Sequence, residues 1–135
     1  MKIKKIDHIG IVVADLTEAA KIYAQNLALP YLHEETNEAY HCKIAFLRCG
    51  EVLIELIEPT GEGPSKTFLD THGEGLHHIC YEVEDIQEAL TEAQDQGMTD
   101  YTEAAVGAGD SRVFFLKPSA VCGVETEFVQ LKKNE

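Results

Sequence analysis

The chain has 135 residues, 44% of them hydrophobic and 26% charged, which suits one soluble globular domain with one sizeable core. A formal net charge of −13 excludes nucleic acid as a partner, because binding phosphates needs a basic patch. No apolar run approaches the ~20 residues that span a bilayer, and MKIKKIDHIG enters a strand pattern with no signal-peptide core, so no membrane contact and a cytoplasmic location are expected.

In chain order, KIDHIGIVV (5–13) reads as a strand with His8 on the same face as Ile6, Gly10 and Val12. Asp15-x-x-Glu18, a variant capping box, opens a helix with Leu16, Ala20, Tyr23 and Leu27 on one face. Three strand-like segments follow: LPYLHEET, HCKIAFLRC and EVLIELIEP. Gly61-Glu-Gly-Pro64 begins a connection, and SKTFLDTH after Pro64 is expected to make one or two helical turns. GLHHICYEV (75–83) is the next strand. Asp85-x-x-Glu88 opens a second helix with Ile86, Leu90 and Ala93 inward, and Gly97 is placed to stop it. MTDYTEA, SRVFFLK and VETEFVQ then read as three more strands.

The order repeats, and so do the residues. His8 lies over His78, Val13 over Val83, Asp15 over Asp85 and Glu18 over Glu88, all 70 positions apart. IAFL (44–47) lies over VFFL (113–116), and Glu55 pairs with Glu127 at an offset of 72 after a longer loop in the second half. The expected fold is therefore α+β: two tandem βαβββ modules in a single domain over 1–135. Module 1 covers 1–60, the connection 61–74 and module 2 75–135.

Charged carboxylates enter apolar strands only when paired or bound to metal. Two modules related by a pseudo-twofold would bring His8, Glu55, His78 and Glu127 to one centre. Two imidazoles and two carboxylates suit a divalent ion such as Co, Zn, Ni or Mn, with open positions for water or substrate. Strand parity puts His78 in the register of His8 and turns the adjacent His77 to the other face. Cys42, Cys49, Cys80 and Cys122 show no metal-binding spacing and are expected as buried free thiols.

This duplicated pattern resembles the vicinal oxygen chelate (glyoxalase/bleomycin resistance/dioxygenase) superfamily along the whole chain, and within it the methylmalonyl-CoA epimerases. The carrying motifs are DHIGIVV (7–13), ELIEP (55–59), GLHHICYEVEDI (75–86), GAGDSRVFFLKP (107–118) and GVETEFVQ (123–130). The resemblance implies a curved, cup-shaped mixed sheet around a divalent metal, and a homodimer. It also implies a small thioester substrate that loses its C2 proton to form a metal-stabilised enolate, with Glu127 both ligand and acid/base group. Epimerisation needs a second acid/base group on the opposite face. The family's further glutamate on the third strand has no counterpart in Cys-Lys-Ile-Ala-Phe at 42–46, which leaves Glu38 and Glu51 as the nearby carboxylates.

The coenzyme phosphates would meet Lys43, Arg48, Arg112 and Lys117 if these cluster at the mouth, with Gly107-x-Gly109-x-x-Arg112 offering backbone N–H groups. The alternatives are a glyoxalase I-type lyase, which uses the same four ligands on a thiol hemithioacetal of a 2-oxoaldehyde, and a non-catalytic binding or resistance protein.

Overall fold

The computed structural model of the chain describes residues 1–132. It divides into two compact units: one runs from His8 to His77, and the other joins residues 1–7 to the chain from His78 onward. The division falls inside the first strand, β1 (Ile3–Val12), so the opening residues of the first repeat pack with the second.

In the unit from His8 to His77, β1 leads through α1 (Leu16–Lys21) and a π turn (Ile22–Asn26) to β2 (Tyr31–Asn37). β3 (Cys42–Cys49), β4 (Val52–Pro59) and α2 (Pro64–His72) follow. The strand order is β2-β3-β4-β1: β2, β3 and β4 are antiparallel neighbours, and β4 runs parallel to β1. The Asp15 carboxylate accepts the Glu18 N–H at 3.1 Å and starts α1 as the sequence predicts. Leu16 and Ala19 of that helix pack with Val13, Ala45, Leu47 and Leu56 on one face of the strands. On the other face Val12, Cys42, Ile44, Phe46 and Ile57 lie under Phe68 and Leu69 of α2. Alternation along each strand thus feeds two apolar layers. Gly63 admits α2 beneath the β2–β3 turn, where a Cβ would sit 2.7 Å from the Tyr40 carbonyl oxygen.

The second unit holds the first residues of β1, β5 (Gly75–Val83) from His78, α3 (Ile86–Asp95), β6 (Ala105–Val106), β7 (Arg112–Phe115) and β8 (Thr126–Gln130). Two short 3₁₀ turns, Ala108–Asp110 and Pro118–Val121, flank β7. The order is β1-β5-β8-β7-β6, with β5 parallel to β8 and the β8–β7 and β7–β6 pairs antiparallel. Glu84 N–H donates to the Lys2 carbonyl, and Lys4 reaches Glu82, which ties the N-terminus alongside β5. Ile86, Ala89, Leu90 and Ala93 form the inward face of α3 against Val83, Phe114, Leu116 and Phe128. Phe114 and Phe128 meet edge to face at 5.3 Å. Asp85 caps α3 by accepting from both Gln87 and Glu88. Gly97, at φ 68°, ends it in a left-handed turn open to glycine at little cost.

Four sequence expectations change. The face Leu16–Ala20–Tyr23–Leu27 holds only as far as Tyr23, which packs with Leu16 on the same apolar layer. The π turn, closed by Leu27 N–H on the Ile22 carbonyl, adds a residue to the repeat and leaves Leu27 57% exposed. MTDYTEA is not a strand, and pairing is confined to Ala105–Val106. Thr99 Oγ1 donates to the Phe115 carbonyl there and accepts from Tyr101 N–H, so this segment bonds through side chains. The connection helix α2 has nine residues, longer than one or two turns. Cys42 and Cys80 are buried thiols, but Cys49 at the end of β3 and Cys122 at a left-handed turn are exposed; all four are free.

Leu90, fully buried in the α3 layer, supplies a direct check of this core. Leu90→Ala should lower unfolding free energy by about 2–5 kcal/mol in a denaturant titration followed by circular dichroism. Asp85→Ala should cost about 1 kcal/mol by the same measurement, because two N–H groups lose their acceptor.

Candidate functional site

Strand register positions the predicted residues. In the unit from His8 to His77, β1 and β4 pair with Gly10 opposite Glu55, and His8 lies two residues before Gly10 on the same face. The His8 imidazole and Glu55 carboxylate turn toward one another, Nδ1 to Oε2 at 3.1 Å, with side chains 9% and 12% exposed. Phe46 of β3 is the neighbour of Glu55 on its other side.

The second unit writes the same geometry. β5 and β8 pair with Cys80 opposite Glu127, and His78 lies two residues before Cys80. His78 Nε2 approaches Glu127 Oε1 at 3.5 Å, with side chains 9% and 13% exposed. Phe115 of β7 flanks Glu127 as Phe46 flanks Glu55, and the Phe115 ring stands edge-on to His78 at 6.3 Å. One difference separates the pairs: the first presents Nδ1 to its carboxylate and the second Nε2.

Both spacings match two ligands on one ion. Bonds of about 2.1 Å at octahedral or tetrahedral angles put adjacent ligand atoms roughly 3.0–3.4 Å apart. Each pair therefore fits two cis ligands of a divalent cation. The small residue between them, Gly10 or Cys80, leaves the imidazole and carboxylate unobstructed. Burial pushes the Cys42 thiol upward, and the negative charge of Glu55 adds to the effect.

The basic residues divide differently from the expectation. Lys43 pairs with Thr36 and Glu58, on the face of β3 that carries Ala45 and meets α1, opposite the face of Glu55. Arg112 pairs with Gln130, on the face opposite Glu127, and its guanidinium donates to the Asp110 and Ser111 carbonyls. Neither shares a face with the His–Glu pairs, because each is one residue out of strand phase. Lys117 lies beyond β7 at 3.9 Å from Asp100. Arg48, opposite Leu53 in the row of His8, does share the Glu55 face. The Gly107–Arg112 loop uses the Gly107 N–H on the Ser111 carbonyl, so that group is committed within the loop. Glu38 and Glu51 sit in turns outside the strands. His77 packs edge-on against Phe68 of α2 at 5.0 Å.

Sequence patterning does not single out His33 and Glu35 of β2. They lie opposite Phe46 and Ile44, on the same face as Glu55. β2 is exposed along nearly its whole length, so no apolar alternation marks which way its side chains turn. A bulge between Tyr31 and His33 decides it: Tyr31 faces α1 and His33 the opposite side. The Tyr31 hydroxyl on the α1 side is pushed up to about 12 by burial and by Glu34 beside it.

Comparison with known proteins agrees with this duplicated arrangement. The family model described as "Glyoxalase/Bleomycin resistance protein/Dioxygenase superfamily" matches residues 7–115. The chain is 35% identical over 133 residues to the uncharacterized protein YqjC of Bacillus subtilis, covering 97% of this chain and 95% of that one. It is 33% identical over 133 residues to the ethylmalonyl-CoA/methylmalonyl-CoA epimerase of Cereibacter sphaeroides, covering 96% and 99%. A Streptomyces coelicolor methylmalonyl-CoA epimerase variant, solved in complex with 2-nitronate-propionyl-CoA, superposes with a TM-score of 0.90 at 30% identity, covering 98% of this chain and 100% of that one. The chain thus belongs to the glyoxalase/bleomycin resistance protein/dioxygenase superfamily, the vicinal oxygen chelate proteins, and within it is methylmalonyl-CoA epimerase-like.

Proposed function

We propose that the chain is a metal-dependent epimerase that moves the C2 proton of methylmalonyl-CoA or a closely related acyl-CoA thioester. The observation that carries this reading is the matched pair of His–Glu contacts, buried for His8 with Glu55 and partly buried for His78 with Glu127, each set by the same strand register. Buried carboxylates beside imidazoles are metal donors by chemistry. The relatives named as epimerases, one of them complexed with an acyl-CoA analogue, support the substrate class.

In this reading His8, Glu55, His78 and Glu127 together hold one divalent cation (Co, Zn, Ni or Mn) within a single functional domain over 1–135. The ion supplies Lewis acidity that stabilises the negative charge developing on the thioester oxygen. Glu127 holds the C2 proton: its carboxylate accepts that proton from one face of the carbon and returns one to the enolate carbon in the reverse direction. Small Gly10 and Cys80 keep the imidazoles free to present one ring nitrogen each. Among the basic residues, Arg48 and Lys117 are the candidates for the coenzyme phosphates. Lys43 and Arg112 drop out of that role because they lie on the opposite strand faces. A homodimer and a cytoplasmic location complete the reading by resemblance, and sedimentation equilibrium checks the first.

Two measurements test the reading. Protein stripped with a chelator should exchange no C2 hydrogen of methylmalonyl-CoA in deuterated water, and one equivalent of Co or Zn per chain should restore exchange. Thioester formation from methylglyoxal and a thiol, with no C2 exchange, would replace this reading with the lyase. Glu127→Gln should slow exchange by roughly 10²–10⁴-fold, the contribution of a positioned acid/base group. His8→Ala should instead lower metal content, seen by elemental analysis of the purified protein.

A further inference from the structure

Two residues flank Glu55 on its own strand face: Phe46, its neighbour on β3, and Ile57, two residues further along β4. Both lie in the layer under α2, 6% and 7% exposed, so that side of Glu55 is closed while the helix is seated. We propose that α2 (Pro64–His72) is a lid over the Glu55 face of this unit, which lifts from the strands to admit a ligand and reseats over it. That the ligand is an acyl-CoA rests on the epimerase reading above; the lifting itself does not.

The seat of α2 is apolar and small. Phe68 and Leu69, both partly buried, are the side chains that pack on Val12, Cys42, Ile44, Phe46 and Ile57. The polar groups of the helix bond within it: Lys66 with Asp70, and the Thr71 hydroxyl with the Thr67 and Phe68 carbonyls and with His72. Phe68 adds ring contacts, stacked on His72 at 4.8 Å and edge-on to His77 at 5.0 Å. The start of α1 is held differently, by the Leu16 N–H on the Glu58 carboxylate of β4. An element seated by a few apolar side chains opens at a fraction of the free energy of global unfolding.

The seated state also carries a defect. Ser65 precedes Phe68 and Leu69 by three and four residues, so it shares their inward face, and it is 5% exposed. Its Oγ is buried with no hydrogen-bond partner among the described residues. A buried hydroxyl without a partner destabilises the state that buries it and regains its hydrogen bonds from water once exposed. Seating the helix therefore works against Ser65, and lifting it relieves that strain.

The ends of the helix suit such a motion. Gly63 fits beneath the Tyr40 carbonyl oxygen, 2.7 Å from where a Cβ would lie, which fixes the entry of the chain. Beyond the helix, Glu74 Oε2 accepts the Ala14 N–H at 2.8 Å and anchors the exit. Between the helix and this anchor stands Gly73 at φ 79°, with no atom within 4 Å of a Cβ position. A glycine free of neighbours at the end of an element is where a hinge absorbs its change in backbone angles.

Cys42 supplies a native probe, because it lies in the layer beneath α2 at 5% exposure, whereas Cys80 of the other unit is fully buried. With the exposed Cys49 and Cys122 changed to Ser, N-ethylmaleimide should modify Cys42 well before Cys80, as located by peptide mass spectrometry. Ser65→Ala removes the unpaired hydroxyl and should slow Cys42 modification about tenfold. Leu69→Ala removes half of the apolar seat and should speed it about tenfold or more, with Cys80 unchanged. Backbone amides of α2 should exchange hydrogen faster than those of α3. Saturating methylmalonyl-CoA on metal-loaded protein should protect Cys42. Cys42 and Cys80 reacting together at the rate of global unfolding, Cys42 indifferent to both substitutions, or α2 amides as protected as those of α3 would each overturn the lid. Lifting with no protection by methylmalonyl-CoA overturns its part in admitting substrate. Metal-loaded protein that exchanges no C2 hydrogen overturns the epimerase reading and leaves the lid standing.

Discussion

Burial of a carboxylate is the constraint on which the rest of this structure depends. Glu55 and Glu127 sit in strands flanked by apolar residues, and an unpaired charge there would cost several kcal/mol. In each unit the cost is met at one position only: the residue opposite the second residue after a histidine on a parallel neighbour strand. That geometry requires β1 beside β4 and β5 beside β8 in parallel. The meander β2–β3–β4 and the run β6–β7–β8 return each chain segment to that place with the correct face inward. Helices α1 and α3 then fall on the other face, where Leu16, Ala19, Ile86 and Leu90 form the apolar layers. A slip of one residue in either parallel pair would separate imidazole from carboxylate and expose an apolar face at once.

Much of this is legible in the residues alone, because it follows from short periods. Parity separates His78 from His77, and the offsets of 70 and 72 bring Glu55 and Glu127 into correspondence although no local motif joins them. The capping aspartates Asp15 and Asp85 and the stop at Gly97 are local backbone chemistry and fall where the residues say they should. What the residues hide depends on events that change a period midway. The π turn after Lys21 shifts the helix phase and turns Leu27 outward. The bulge in β2 reverses which residues look toward Glu55. Charge groups Lys43 with Arg112, yet strand phase alone decides their face, and it turns both away.

The two halves are alike in what buries charge and unlike elsewhere. Each half places a histidine, a small residue, a glutamate and a phenylalanine at matching points, with the phenylalanine next to the glutamate on the antiparallel side. Beyond that phenylalanine the correspondence stops. In the first half a seven-residue strand continues past Phe46 and ends the row on an imidazole; in the second only Ala105 and Val106 pair. α2 packs on the Val12, Ile44, Phe46 and Ile57 layer of the first face, and His33 beyond Phe46 stays exposed.

That asymmetry has a chemical logic. In the proposed reading, equivalent ligands from equivalent places would be enough to hold a cation, and a duplicated module would supply them without further change. Inverting a carbon centre is not symmetric, because the two faces of C2 must meet different groups, one giving a proton as the other takes one. A perfect repeat would offer the same group from each half, and in the proposed reading each such group would already be committed to the ion. Departure from the repeat is therefore where a second proton donor can enter, and it must enter outside the ligand set and where water can reset its charge. In the unit from His8 to His77 the Gly10–Glu55–Phe46 row departs from the repeat at its outer end, where β2 stacks His33 on Phe46 and sets Glu35 3.2 Å from it.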